Sequence, residues 1–292
     1  LLWPTIAYNG RSITFERDFG IWSVDIASGA AAPIAIELRG SAAGAVVEHR
    51  TLSDGLQELA LSPDGRKVAF SVRGRIFAAS SRDGGTGQRV AADGLVQQQP
   101  AWAPDSRRLA FADDRDGQFH IYLYDFVSHQ ERQLTAGDAS DVSPVWSPDG
   151  SSLAYVRGGD EIHVLALGAH GGARNAPPTD RVVAHAFLDR APFVAERALV
   201  WSPDGRWLAF ATSEGNKLFA NSYLVSAAGG ETRAVSWMSN TNADDLEWSP
   251  DGTFLLMVTS QRTEPGAVAR IDLVPRTPRF REDQFRDLFT TE

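Results

Sequence analysis

A four-residue turn recurs along this chain between short apolar runs. Five copies are plain: Ser62-Pro63-Asp64-Gly65, Ala103-Pro104-Asp105-Ser106, Ser147-Pro148-Asp149-Gly150, Ser202-Pro203-Asp204-Gly205 and Ser249-Pro250-Asp251-Gly252. A worn sixth copy is Ala7-Tyr8-Asn9-Gly10. Pro presets φ at the first corner, Asp can accept a backbone N–H two residues on, and Gly tolerates positive φ, so each copy reverses the chain sharply. The Asp or Asn positions are spaced 55, 41, 44, 55 and 47 residues apart. After each turn comes a short run, mostly with Ala in the middle: Val68-Ala69-Phe70, Leu109-Ala110-Phe111, Leu153-Ala154-Tyr155 and Leu208-Ala209-Phe210, with Ile13-Thr14-Phe15 and Leu255-Leu256-Met257 in the outer copies. A further β-branched or aromatic run follows, such as Ile121-Tyr122-Leu123-Tyr124. No 3.6-residue period persists, so these runs are strands. A period of about 40–50 residues built from short strands marks a propeller blade. Six copies predict an all-β fold, a six-bladed β-propeller of four-stranded antiparallel blades over residues 1–274.

The residue before the turn is Trp102, Trp146, Trp201 or Trp248 in four copies, and Ile6 or Leu61 in the other two. One large side chain per repeat at one position is expected to wedge between neighbouring sheets. The turn Asp residues, one per blade at the same place, read as structure rather than catalysis. Side chains alternate along the innermost strand. If the Trp phase packs inward, the opposite phase lines the axial channel. That argument nominates Glu58, Gln97, Gln99, Asp141, Ser143, Glu196, Asp245 and Glu247 as binding residues, with Arg197 and Asp244 near the mouth. The expected channel is polar and acidic, a field that attracts cations or the basic parts of a peptide.

Other chemistry is excluded by what the chain lacks. A net charge of −9 argues against nucleic acid, which needs clustered Lys and Arg. No run of eighteen apolar residues predicts a membrane span. The absence of Cys excludes disulfides and thiolate metal sites and fits either a cytosolic or an exported protein. The start at Leu1-Leu2-Trp3-Pro4, with no initiator Met, suggests a processed or excised piece. There is no Gly-x-Ser-x-Gly elbow, no His-Glu-x-x-His and no phosphate-cradling loop. The His residues are scattered singly, and His120 and His163, at or beside third strands, read as structural. No catalytic set, metal site or cofactor is expected. Asp113-Asp114-Arg115-Asp116-Gly117 reads as a β-turn between second and third strands, because it lacks the distal Glu of a calcium loop. Two connections, 33–55 and 168–196, are longer than a blade needs and could carry binding.

The pattern Trp-Ser-Pro-Asp-Gly-x-x-Leu-Ala-Phe, as at 201–210, resembles the WD40-like propeller repeats of TolB and of tricorn-type peptidases, from about Thr5 to Val274. Outside the repeat core, 48–55, 261–266 and 275–289 are similar to the first propeller of bacterial tricorn-like serine peptidases. The resemblance implies the non-catalytic amino-terminal propeller of such a protein, which binds, gates or filters peptides. Its partners would then be peptides and the downstream peptidase domains of the same polypeptide, with 275–292 as the exit linker. The catalytic Ser and His of those peptidases match nothing here. Two other readings stand beside it: a TolB-like protein–protein interaction module of the cell envelope, and a propeller enzyme acting on glycans or esters. The resemblance favours a periplasmic or otherwise exported setting. The sixth blade ends at Val274, so its outer strand is expected from elsewhere, either upstream of Leu1 or at 279–281.

Overall fold

The computed structural model describes residues 2–17, 20–36, 54–91, 96–167, 179–188, 199–213, 220–238, 241–261, 266–274 and 289. Every element among them is a strand, and the strands form six antiparallel sheets, one per repeat. The fold is an all-β propeller of six blades. Blade 1 holds β1 (Leu2–Ile6), β2 (Ser12–Arg17), β3 (Gly20–Asp25) and β4 (Ala31–Pro33). Blade 2 holds β5 (Leu56–Leu61), β6 (Lys67–Val72), β7 (Arg75–Ser80) and β8 (Gln88–Arg89), and blade 3 holds β9 (Gln97–Trp102), β10 (Arg108–Asp113), β11 (His120–Asp125) and β12 (Gln130–Gln133). Blade 4 follows with β13 (Asp141–Trp146), β14 (Ser152–Arg157), β15 (Glu161–Ala166) and β16 (Thr179–His185). Blade 5 has β17 (Leu199–Trp201), β18 (Trp207–Thr212), β19 (Asn221–Ser226) and β20 (Arg233–Ala234). Blade 6 has three described strands, β21 (Thr241–Trp248), β22 (Phe254–Gln261) and β23 (Ala267–Asp272). All six are meanders in which sequence neighbours pair. The chain divides into two compact units, Leu1–Ser53 and Asp54–Glu292.

The repeated turn does in space what its residues require. In all six copies the fourth residue donates its N–H to the carbonyl of the first, for example Gly65 to Ser62 and Gly205 to Ser202. The fourth residue sits at positive φ each time: Gly10, Gly65, Gly150, Gly205 and Gly252 lie at +66° to +70°, and Ser106 at +56°. The Asp or Asn carboxyl or amide oxygen accepts the N–H two residues on, at 2.9–3.0 Å in every copy.

Within residues 54–292 the innermost strand of each blade lies over the blade before it: β9 on β5, β6 and β7; β13 on β9, β10 and β11; β17 on β13; β21 on β17, β18 and β19. The Trp before each turn ties these blades. Its indole Nε1–H donates to a backbone carbonyl of the preceding blade: Trp102 to Ala60, Trp146 to Ala101, Trp201 to Val145 and Trp248 to Val200, at 3.0–3.3 Å. The wedge inferred from sequence is therefore also a polar bond, which satisfies the one donor that a buried Trp carries. The mid-strand Ala69, Ala110, Ala154 and Ala209 are fully buried where sheets meet face to face.

The long connection 168–196 needs correction. Residues 179–185 are not loop but β16, the outermost strand of blade 4, paired with β15 along its length. The calcium-like segment is the expected turn, closed by Gly117 N–H to Asp114 C=O. Residues 37–53 of the first long connection lie outside the described residues, as does the expected exit linker apart from Phe289.

Candidate functional site

A cavity of about 640 Å³ lies along the innermost strands and turns of blades 2, 3 and 4. Its walls are β5 from Gln57 to Leu61, β9 from Gln99 to Trp102, β13 from Ser143 to Trp146, and the turn prolines Pro63, Pro104 and Pro148. What shapes it is a β-bulge. In β9, residues 99 and 100 together oppose Phe111, because the ladder steps from Gln98↔Ala112 to Ala101↔Ala110. Blade 4 repeats this with 143 and 144, blade 6 with 245 and 246, and blade 1 with 3 and 4. The first bulge residue has positive φ each time: Trp3 +53°, Gln99 +57°, Ser143 +56° and Asp245 +47°. In β5 the register shift falls between Leu56 and Glu58.

The side chains at the bulge form a polar belt that crosses from blade to blade. Glu58 Oε2 accepts the backbone N–H of Gln99 at 2.6 Å. Gln99 Oε1 accepts the backbone N–H of Ser143 at 2.7 Å, and Gln99 Nε2 donates to Ser143 Oγ at 3.2 Å. Glu58, Gln99 and Ser143, three of the residues nominated from sequence, are thus brought together on the cavity wall. Burial pushes the Glu58 carboxyl above its usual range, against the opposing effect of the Gln99 N–H.

The bulge also removes two nominees from that wall. Gln97 pairs with Asp113 and Trp102 with Leu109, so Gln97 shares a face with the Trp instead of opposing it. Asp141 shares a face with Trp146 in the same way, through Arg157 and Leu153. Both are 0% exposed and structural. Gln97 donates from Nε2 to Asp113 Oδ2 at 2.9 Å, and Asp141 takes Arg157 in a two-pronged ion pair at 2.7 and 3.0 Å. Strict alternation fails because one extra residue inverts the phase on either side of it. Asp245 and Glu247 are exposed on β21 and do not line this cavity. The side chain of Asp244 lies outside the described residues, as do Glu196 and Arg197.

The sequence reading missed Pro100 and Pro144, which line the cavity one position after the bulge residue. Their signal was present. A proline inside a strand is tolerated at bulges and edges, and Trp3-Pro4, Gln99-Pro100 and Ser143-Pro144 fall at the same offset from the turn in three blades.

A second polar cluster sits in blade 4. His163 occupies the third-strand position that holds Phe77, Tyr122 and Tyr223 in other blades, and it stacks on Tyr155 with centroids 5.0 Å apart. Its Nδ1 lies 3.1 Å from Asp180 Oδ1 and its Nε2 3.0 Å from Glu161 Oε2. Burial works to lower its pKa, but the two carboxylates outweigh burial and raise it. With both ring nitrogens within hydrogen-bond distance of carboxylates, His163 ties β15 to Asp180 of β16. Tyr155 donates its hydroxyl to Asp180 at 2.8 Å. Among the described residues, no group of three His, Asp or Glu side chains is placed to hold a metal ion.

Residues 59–176 match the family model of the TolB beta propeller domain. Over that stretch, which holds three copies of the turn, the repeats are similar to those of that domain. A protein TolB homolog of Chlorobium chlorochromatii (strain CaD3) is 39% identical over 100 residues, which is 33% of this chain and 22% of that protein. An uncharacterized peptidase, YuxL of Bacillus subtilis (strain 168), is 25% identical over 183 residues, covering 60% of this chain and 24% of its own length. The chain thus spans less than a quarter of either relative. Among solved structures, a putative TolB from Agrobacterium tumefaciens superposes with a TM-score of 0.57 at 20% identity, covering 75% of this chain and 77% of that one. The tricorn protease gives 0.58 at 16% identity over 95% of this chain and 27% of its own. At such identities the likeness is one of fold.

Proposed function

We propose that this propeller holds extended peptide segments against the innermost strands of blades 2 to 4, without chemistry of its own, as the substrate-handling part of a tricorn-like peptidase. The observation that carries the reading is the cavity itself. It is lined by prolines and aliphatic side chains, with a short polar belt fixed across three blades. Its 640 Å³ falls in the range of sites that enclose a few side chains, with few polar groups to set orientation. The similarity to a peptidase over 60% of the chain supports an accessory role in proteolysis.

The test uses a photoreactive p-benzoylphenylalanine at position 100, in the cavity, and another at position 127, an exposed residue outside it. Casein-derived peptides are expected to cross-link at position 100, not at 127, and to be recovered uncleaved. Equal labelling at both positions, or none at 100, overturns the reading. A second reading, an interaction module that docks a folded partner, draws on the TolB family match over residues 59–176. It predicts cross-links to folded protein that short peptides do not compete away.

A further inference from the structure

We infer that the cavity takes a lysine side chain, its ammonium seated on the open carboxylate oxygen of Glu58. This rests on the peptide-holding reading and names the residue such a peptide must carry. Glu58 is the one charged side chain among the described residues of the cavity wall. The rest of the belt is satisfied internally: Gln99 spends its amide oxygen on Ser143 N–H and its amide nitrogen on Ser143 Oγ. Glu58 spends Oε2 on Gln99 N–H, and its Oε1 has no partner among the described residues. A half-buried carboxylate with no cation beside it is costly, and a ligand that brings the cation relieves that cost. The raised pKa of the group reflects the same desolvation.

Shape selects among cations. Only one carboxylate oxygen is open, so a two-pronged guanidinium finds half of its match, whereas an ammonium needs one oxygen. Pro100, Pro144 and Leu59 provide aliphatic wall for a four-carbon stem, which lysine buries while its head finds charge. A free peptide amino terminus shares the ammonium chemistry but lacks the stem. The overall charge of −9 favours approach of a basic segment.

The experiment titrates the chain with four amidated pentapeptides by calorimetry at low salt and pH 7.5: acetylated Ala-Ala-Lys-Ala-Ala, its norleucine and arginine counterparts, and unacetylated penta-alanine. The lysine peptide is expected to bind at least tenfold tighter than the norleucine peptide and tighter than the arginine one. Glu58→Gln, which keeps an acceptor for Gln99 N–H, is expected to abolish the lysine preference with an unchanged melting temperature. Equal binding of lysine and norleucine peptides by the native chain, a comparison needing no variant, overturns the lysine assignment while leaving peptide holding intact. Tightest binding of penta-alanine places a terminal amine there, and tightest binding of the arginine peptide a guanidinium; either overturns it too. No binding by any peptide, with no cross-link at position 100, removes both readings.

Discussion

The tie between blades can be weighed at Trp201. Its Nε1–H donates to Val145 C=O at 3.0 Å, and its ring is buried in the core shared by blades 4 and 5 with Trp146, Leu153, Leu199 and Leu208. Trp201→Phe keeps an aromatic ring in place and removes the donor. Losing that hydrogen bond costs about 1 kcal/mol. Phe also gives up about 40 Å² of buried surface, worth about 1 kcal/mol at about 25 cal/mol per Å². A total of about 2 kcal/mol lowers the thermal midpoint by about 4–8 °C, taking about 2–4 °C per kcal/mol for a chain of this general size. The control is Trp237→Phe, at a Trp that is 80% exposed, where the change should stay within about 0.5 kcal/mol. Differential scanning calorimetry of both variants at one pH and protein concentration makes the comparison. Equal midpoints for the two variants, or an unshifted Trp201→Phe, would refute the argument that the indole bond and wedge join the blades.

Ser106 is the one non-glycine at the fourth turn position, and its Oγ accepts Asp64 N–H from the preceding blade at 3.0 Å. Ser106→Ala should therefore lose about 1 kcal/mol, whereas Ser106→Gly loses the same bond but relieves the positive φ by a similar amount and should melt near the native midpoint. For His163, whose pKa is raised in the fold, the stabilisation is fully present below its unfolded value of 6.5 and is lost as pH rises through the higher native value. Melting temperatures from pH 5.5 to 8.5 should fall across that window, and His163→Gln should flatten the fall. The Asp204 carboxyl is held down to about 2, first by Ser202 Oγ–H and then by the backbone and side chain of Arg206. Its contribution to stability is present above the ordinary 3.8 and disappears as pH falls towards 2, so a carboxyl NMR titration should show that low midpoint and Ser202→Ala should raise it.

Much of the fold was legible because a propeller writes its blade several times. One copy of Ser-Pro-Asp-Gly is a turn; six at similar spacing specify sheets, and the Trp that recurs before the turn specifies how sheets meet. The strands after the turn fell where the sequence put them, from β2 to β22. One outermost strand was harder to read: Thr179–His185 is separated from β15 by twelve residues, so it looked like loop. An edge strand has one neighbour to satisfy and carries little pattern.

The candidate site was half legible for a related reason. Alternation along a strand is a local rule, and the bulge at Gln99, Ser143 and Asp245 breaks it where the interior of the fold begins. On one side of the bulge, Gln97 and Asp141 are drawn into the blades as internal ties; on the other, Glu58, Gln99 and Ser143 gather on one wall. The repeat thus separates two kinds of position. Where successive blades hold the same residue, as at the turn Asp and the Trp, the side chain serves the architecture in each blade. Five positions before the second residue of the turn, the six blades hold Trp3, Glu58, Gln99, Ser143, Ala198 and Asp245, no two alike. A position that the backbone repeats and the side chains do not is where a symmetric scaffold can become specific, and Glu58, the charged member on the cavity wall, with one oxygen unpartnered among the described residues, is where that specificity would be written.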